Sequence, residues 1–160
     1  MKKAIFYIPV SLLLLISCKT TFPENYQAQC YNTSADATYS VDVYYQASKT
    51  YTDIDRIKLS AVDAVLFRGI TGGKGCTAQK PLLLQSKAEV NSTAFFKKLY
   101  GKKKGYDKYI TKLENGPQEL IETYKKKQLF TNHYQVTVNK ELLRNDLIAA
   151  GLLKPLNTGF

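Results

Sequence analysis

Residues 134–150, YQVTVNKELLRNDLIAA, change their hydrophobic period once. Tyr134, Val136 and Val138 alternate with Gln135, Thr137 and Asn139, the two-residue period of a half-buried strand. From Lys140 onward the apolar residues fall at Leu143, Leu147, Ile148 and Ala150, the spacing of an amphipathic helix. Asn139 stands at the junction, where its amide can cap the helix, and Gly151 closes it.

Upstream, residues 37–47 alternate in the same way, with Tyr39, Val41, Val43 and Tyr45 against Ser40, Asp42, Tyr44 and Gln46. Thr52 or Asp53 then caps a helix whose apolar positions are Ile54, Ile57, Ala61, Val62, Ala64 and Val65, with Arg56, Lys58, Ser60 and Asp63 largely on the other side. Residues 65–70 read equally as the end of that helix or the start of a strand. Ser92 caps a helix over residues 93–99 with Phe95, Phe96, Leu99 and Tyr100 as its apolar surface, closed by Gly101. Leu82-Leu83-Leu84 reads as a short strand, and residues 106–113 as either helix or strand. Asn115-Gly116-Pro117 reads as a turn. Residues 120–126 are the expected antiparallel partner of residues 134–139, with Asn132-His133 in the turn between them. Strands and helices in this order predict an α+β domain: a small antiparallel sheet of about four strands with two or three helices on one face.

The N-terminus carries a different signal. Lys2 and Lys3 precede an apolar run over residues 4–16, which stops at Leu15-Ile16-Ser17-Cys18. The run is too short to span a membrane, which takes about 20 apolar residues, and Pro9 interrupts it. A basic head, an apolar stretch and a small residue before the break make a secretory signal. Leu-Ile-Ser-Cys resembles the lipobox of bacterial lipoproteins. That resemblance implies a diacylglyceryl group on the Cys18 thiol, cleavage after Ser17 and acylation of the new amine. Residues 1–17 are then a signal peptide and 18–29 a lipidated tether, polar and containing Pro23, leaving 30–160 as a single domain.

Cleavage leaves 143 residues, enough to bury a core without a metal. It removes Lys2 and Lys3, so 21 basic residues face 13 acidic ones. Residues 91–160 hold thirteen of the basic residues and six of the acidic ones, so the excess lies in the second half. Lys102, Lys103, Lys104 and Lys125, Lys126, Lys127 are its densest runs. Such a field attracts anions: lipid head groups, acidic glycans or an acidic protein. The bland alternative is a solvated surface. Export makes nucleic acid an unsuitable ligand. Cys30 and Cys76 remain as an even pair in an oxidising compartment, which favours a disulfide; the alternative is two separate thiols.

Motifs for chemistry are weak. Around Gly72, Gly73 and Lys74 the spacing fails the phosphate-loop pattern, since Arg68 stands where a glycine is needed and Gly75 where Ser or Thr is needed. A tight turn with positive φ is the plainer reading, with a small anion nest of backbone amides beside Lys74 and Lys80 as a functional version. His133 is the only histidine, and no nucleophile signature accompanies Cys76, Asp107 or Asp146, its candidate partners in a triad. One histidine and no close cysteine pair give zinc no ligand set, and Asp53-Ile54-Asp55 is too short for a calcium loop. The expectation is a protein without catalytic residues, cofactor or metal.

The segments AVDAVLF, RGITGGKGC, TAQKPLL, the Phe95-Phe96 pair and KELLRNDLIAAGLLK are together similar to small envelope lipoproteins of unassigned function in Bacteroidota-type bacteria. Some of these accompany components resembling curli-type secretion channels. The resemblance implies an accessory role in envelope assembly, with an envelope protein as partner, and it assigns no catalytic residue. Lys19-Thr20-Thr21 lacks the acidic run associated with surface export, which favours the periplasmic leaflet of the outer membrane. Within the domain, the glycine loop at residues 72–76, the two lysine runs and, last, Phe95 and Phe96 are the candidate contact features.

Overall fold

The computed structural model describes residues 26–33, 38–47, 53–73, 76–124 and 127–155. Four antiparallel strands, β1 (Gln27–Thr33), β2 (Thr38–Ala47), β3 (Ile110–Tyr124) and β4 (Lys127–Asn139), form one sheet in the order β1-β2-β4-β3. The helices are α1 (Ile54–Asp63), α2 (Lys87–Val90), α3 (Ala94–Leu99) and α4 (Lys140–Ala149). The class is α+β, as the periodicity predicts.

Alternation decides which sheet face is covered. Val41, Val43 and Tyr45 on β2 and Tyr134, Val136 and Val138 on β4 are buried. They pack with Ile57, Ala61, Val62 and Val65 of α1 and its extension, and with Leu143 and Leu147 of α4. Phe96 of α3 is fully buried in the same cluster, where removal of its ring from water contributes roughly 2–3 kcal/mol. The other face carries Ser40, Tyr44, Gln46, His133, Gln135 and Thr137. Asp42 also lies on that side yet is almost fully buried, with the Tyr44 hydroxyl donating to its Oδ2 at 3.2 Å.

The caps are local and readable. The Asp53 carboxylate accepts from the Arg56 amide at 3.0 Å, and the Asn139 side chain accepts from the Leu142 amide at 2.9 Å. Thr93 rather than Ser92 caps α3, by accepting from the Phe96 amide. Gly151 takes a φ of +71° just past α4.

Several expectations change. Gln27–Gln29 belong to β1 and Tyr26 is buried, so strand pairing takes in residues that the sequence reading gave to the tether. Ladder bonds to β2 hold this strand, whose own apolar period is short: Tyr26, Ala28 and Cys30 face the core. Residues 64–68 neither end the helix plainly nor start a strand; they form a π-helical turn in which the Gly69 amide donates to the Ala64 carbonyl at 2.8 Å. Leu82 and Leu83 hang from the Val65 and Leu66 carbonyls in no strand, and Leu84 is exposed. Asn115-Gly116-Pro117 is a bulge inside β3, not a turn, and Asn132-His133 lies mid-strand in β4. The hairpin is therefore longer than expected: residues 134–138 pair with residues 110–115, and Leu120 pairs with Phe130.

Candidate functional site

Cys30 and Cys76 come together at disulfide distance, with sulfurs 2.08 Å apart and Cα atoms 6.1 Å apart. Residues 70–73 run beside the outer edge of β1, where the Cys30 amide donates to the Thr71 carbonyl at 2.8 Å. Ile70 and Gln79 exchange backbone hydrogen bonds, as do Gly73 and Cys76. The glycine loop is thus a small hairpin lashed to a sheet edge. Its positive φ is at Gly69, +75°, and not at Gly72 or Gly73. The Gly73 amide is already given to the Cys76 carbonyl at 3.1 Å, which removes it from any anion nest. Lys74 lies outside the described residues.

His133 faces Tyr44 across the β2–β4 ladder, with ring centroids 4.5 Å apart in an edge-to-face arrangement. Asp146 of the imagined triad is elsewhere. It binds Lys108 and accepts from the Tyr109 hydroxyl at 2.7 Å, and the Lys108 ammonium holds its carboxyl below the usual carboxylate range. Asp107 pairs with Lys58 at 2.8 Å. These four candidates are therefore not brought into one constellation.

A buried polar hub takes the place that the sequence reading left empty. Asp63, fully buried, accepts from the Tyr26 hydroxyl at 2.5 Å. Lys87 Nζ lies 2.5 Å from its Oδ1, and Arg68 Nε lies 3.5 Å from its Oδ2. The Arg68 guanidinium also stacks 4.3 Å from the Tyr26 ring centroid. Burial, then the neighbouring Asp63 charge, pushes the Tyr26 and Tyr100 phenols far above their ordinary range. Ser60 is fully buried too, bonded to the Tyr45 hydroxyl. Both residues were expected on the outer side of α1. Their i, i+3 spacing marks a second buried stripe, and polar residues at those positions hid it.

The lysines divide into two kinds. Lys104 is tied 2.7 Å from Asp55, and this bond raises the lysine above and lowers the carboxyl below their ordinary values. Lys97, Lys102 and Lys103 are exposed and have no carboxylate partner among the described residues. They follow one another along α3 and the turn after it. Lys125 and Lys126 lie outside the described residues, as do the side chain of Lys127 and the whole of Cys18, so no contact between the two lysine runs is on view.

Beside the lysine ridge lies a groove of about 350 Å³ between α3 and α4. Ala94, Phe95 and Leu99 form one wall and Ala149 and Ala150 the other, with Tyr109 below. Phe95 is half-buried, edge-on to Phe96 at 5.1 Å. Lys98, Gly105, Lys108 and Asp146 also line it. Among the described residues no group of three or more His, Cys, Asp or Glu side chains is arranged to hold a metal ion. The arrangement offers a cationic, anion-attracting field next to an apolar cleft. Against protein-family models, curated proteins and solved structures, the chain matches none.

Proposed function

We propose that the protein is a lipid-anchored accessory subunit of the bacterial cell envelope, held at Cys18 and acting by presenting its domain to an envelope protein. The observation that carries this reading is the order Lys2-Lys3, apolar residues 4–16 and Leu15-Ile16-Ser17-Cys18. The folded unit supports it by starting close behind: Tyr26 is buried in the core eight residues after the cysteine. At about 3.4 Å per extended residue, that link keeps Tyr26, just before β1, within roughly 27 Å of the bilayer surface. Tethering then raises the local concentration of a weak binding surface near its target. No described helix is long and apolar enough to cross a membrane. The outer membrane, at its periplasmic leaflet, is the favoured location.

Two neighbours without an ion pair among the described residues, Lys102 and Lys103, together with Lys97, favour a second reading, in which the domain binds an acidic envelope polymer or lipid head group. Cells fed radiolabelled palmitate test the anchor. The chain should take up label and fractionate with membranes, and Cys18→Ser should lose both properties. An unlabelled wild-type chain refutes the placement. Crosslinking in intact cells then separates the two roles, because a salt-insensitive protein adduct supports the first and salt-sensitive binding to acidic polymer supports the second.

A further inference from the structure

We infer that the groove between α3 and α4 is a site for an anionic phospholipid, with an acyl chain along its walls and the phosphate at Lys98. The inference deepens the second reading above and rests on its placement at a membrane. The walls are largely apolar and open because Ala149 and Ala150 at the end of α4 and Ala94 at the start of α3 are exposed and too small to fill the space. A volume of about 350 Å³ falls in the usual range for small-molecule sites. A cleft of this kind on a water-facing surface suits a chain of methylenes better than a polar ligand, at about 0.8 kcal/mol per CH₂ buried.

Charge selects the head group. The one carboxylate in the lining, Asp146, is already occupied by Lys108 and the Tyr109 hydroxyl. Lys98 lines the groove with no ion-pair contact among the described residues, though its charge helps to lower Asp146, and Lys97, Lys102 and Lys103 stand in the same stretch of chain. With Lys108 balanced by Asp146, Lys98 leaves a net positive charge in an otherwise largely apolar lining, and the complementary ligand has an apolar tail and a negative head. A zwitterionic head group would forfeit this attraction, and a bare phosphate would leave the walls empty.

The test titrates the mature protein, held in zwitterionic nanodiscs, with lysophosphatidylglycerol below its micelle concentration. The methyl resonances of Ala94, Ala149 and Ala150 are the readout. The expected result is saturable shifts at these three methyls. Lysophosphatidylcholine should bind at least tenfold more weakly, and glycerol 3-phosphate should leave the methyls unmoved. Lys98→Gln should weaken binding about fivefold, the worth of one lysine near an anionic head group. Ala149→Phe, at an exposed position, should abolish it, with Ala94→Phe as a second blocking variant. Lys80→Gln, on the hairpin beside β1, should change nothing. Silent methyls, equal affinity for the two lysolipids, or a full response to glycerol 3-phosphate would each overturn the assignment. The intact mass of the same sample reports acylation at Cys18. An acylated protein that ignores the lysolipid loses the groove and keeps the anchor, whereas an unacylated protein that binds it does the reverse.

Discussion

Replacing Asp63 with Ala should destabilise the domain by about 3 kcal/mol, more than any other single charge removal at its sites described above. Asp63 is fully buried, and its two oxygens face three donors: the Tyr26 hydroxyl at 2.5 Å, Lys87 at 2.5 Å and Arg68 at 3.5 Å. The donors differ in what they lose. Tyr26 is 6 % exposed, so its hydroxyl keeps no route to water, and an unsatisfied buried donor costs about 1–3 kcal/mol. Lys87 and Arg68 keep 24 % and 40 % of their side-chain exposure and can turn outward, which moderates the usual 3–5 kcal/mol for breaking a buried pair. Alanine returns up to about 0.7 kcal/mol of helix propensity. Tyr26→Phe alone, which removes the donor along with its need, should cost only about 1 kcal/mol. The double variant should therefore cost less than the two singles added together, with a coupling of about 1 kcal/mol. Urea unfolding at neutral pH, followed by far-ultraviolet circular dichroism, measures all three. A loss below 1 kcal/mol for Asp63→Ala, or strict additivity with Tyr26→Phe, would show that the hub is ordinary surface chemistry.

Three further outcomes follow from the same geometry. The Cys30–Cys76 link closes a 46-residue separation, so the double Cys→Ser variant should lose about 4 kcal/mol by the chain-entropy relation, read as a lower urea midpoint than the oxidised protein; equal midpoints would exclude the link. Gly69→Ala should cost about 1–3 kcal/mol, because its φ is +75° and an added Cβ would sit 2.7 Å from the Gln79 carbonyl oxygen, whereas Gly73→Ala should cost about 1 kcal/mol, since its Cβ meets the Gln29 side chain, which can turn aside by giving up its hydrogen bond to the Gly72 carbonyl; equal thermal shifts would contradict the contrast. Asp146 is held below the ordinary carboxylate range, so its contribution is complete above about pH 4 and is lost as pH falls through its folded value. Asp146→Asn should flatten the acid limb of stability against pH, and an unchanged slope would remove Asp146 from the acid response.

Composition and period settled what depends on neighbours in the chain. The alternation of Tyr39, Val41, Val43 and Tyr45 marks the buried face of β2, and Asn139 marks the start of α4, because side-chain direction and capping are set within a few residues. The excess of lysine over residues 91–160 and the Leu15-Ile16-Ser17-Cys18 pattern are likewise properties of order alone. The lysine ridge was legible to that extent, although Lys104 turned out to be half of an ion pair with Asp55, 49 positions earlier.

Tertiary structure decided whatever joins distant residues. β1 is a strand because β2 offers it hydrogen bonds; the alternation of Tyr26, Ala28 and Cys30 with Gln27, Gln29 and Tyr31 is too short and too weakly apolar to announce it alone. Gly116-Pro117 became a bulge because β4 continues past it and keeps pairing. Asp63 became the hub because a tyrosine 37 positions earlier and a lysine 24 positions later converge on one face of α1 that its own polarity disguised. The groove exists only where α3 meets α4, and small residues there signal nothing in isolation. Local rules fix direction and period; the sites are made by convergence, which a linear order of residues does not contain.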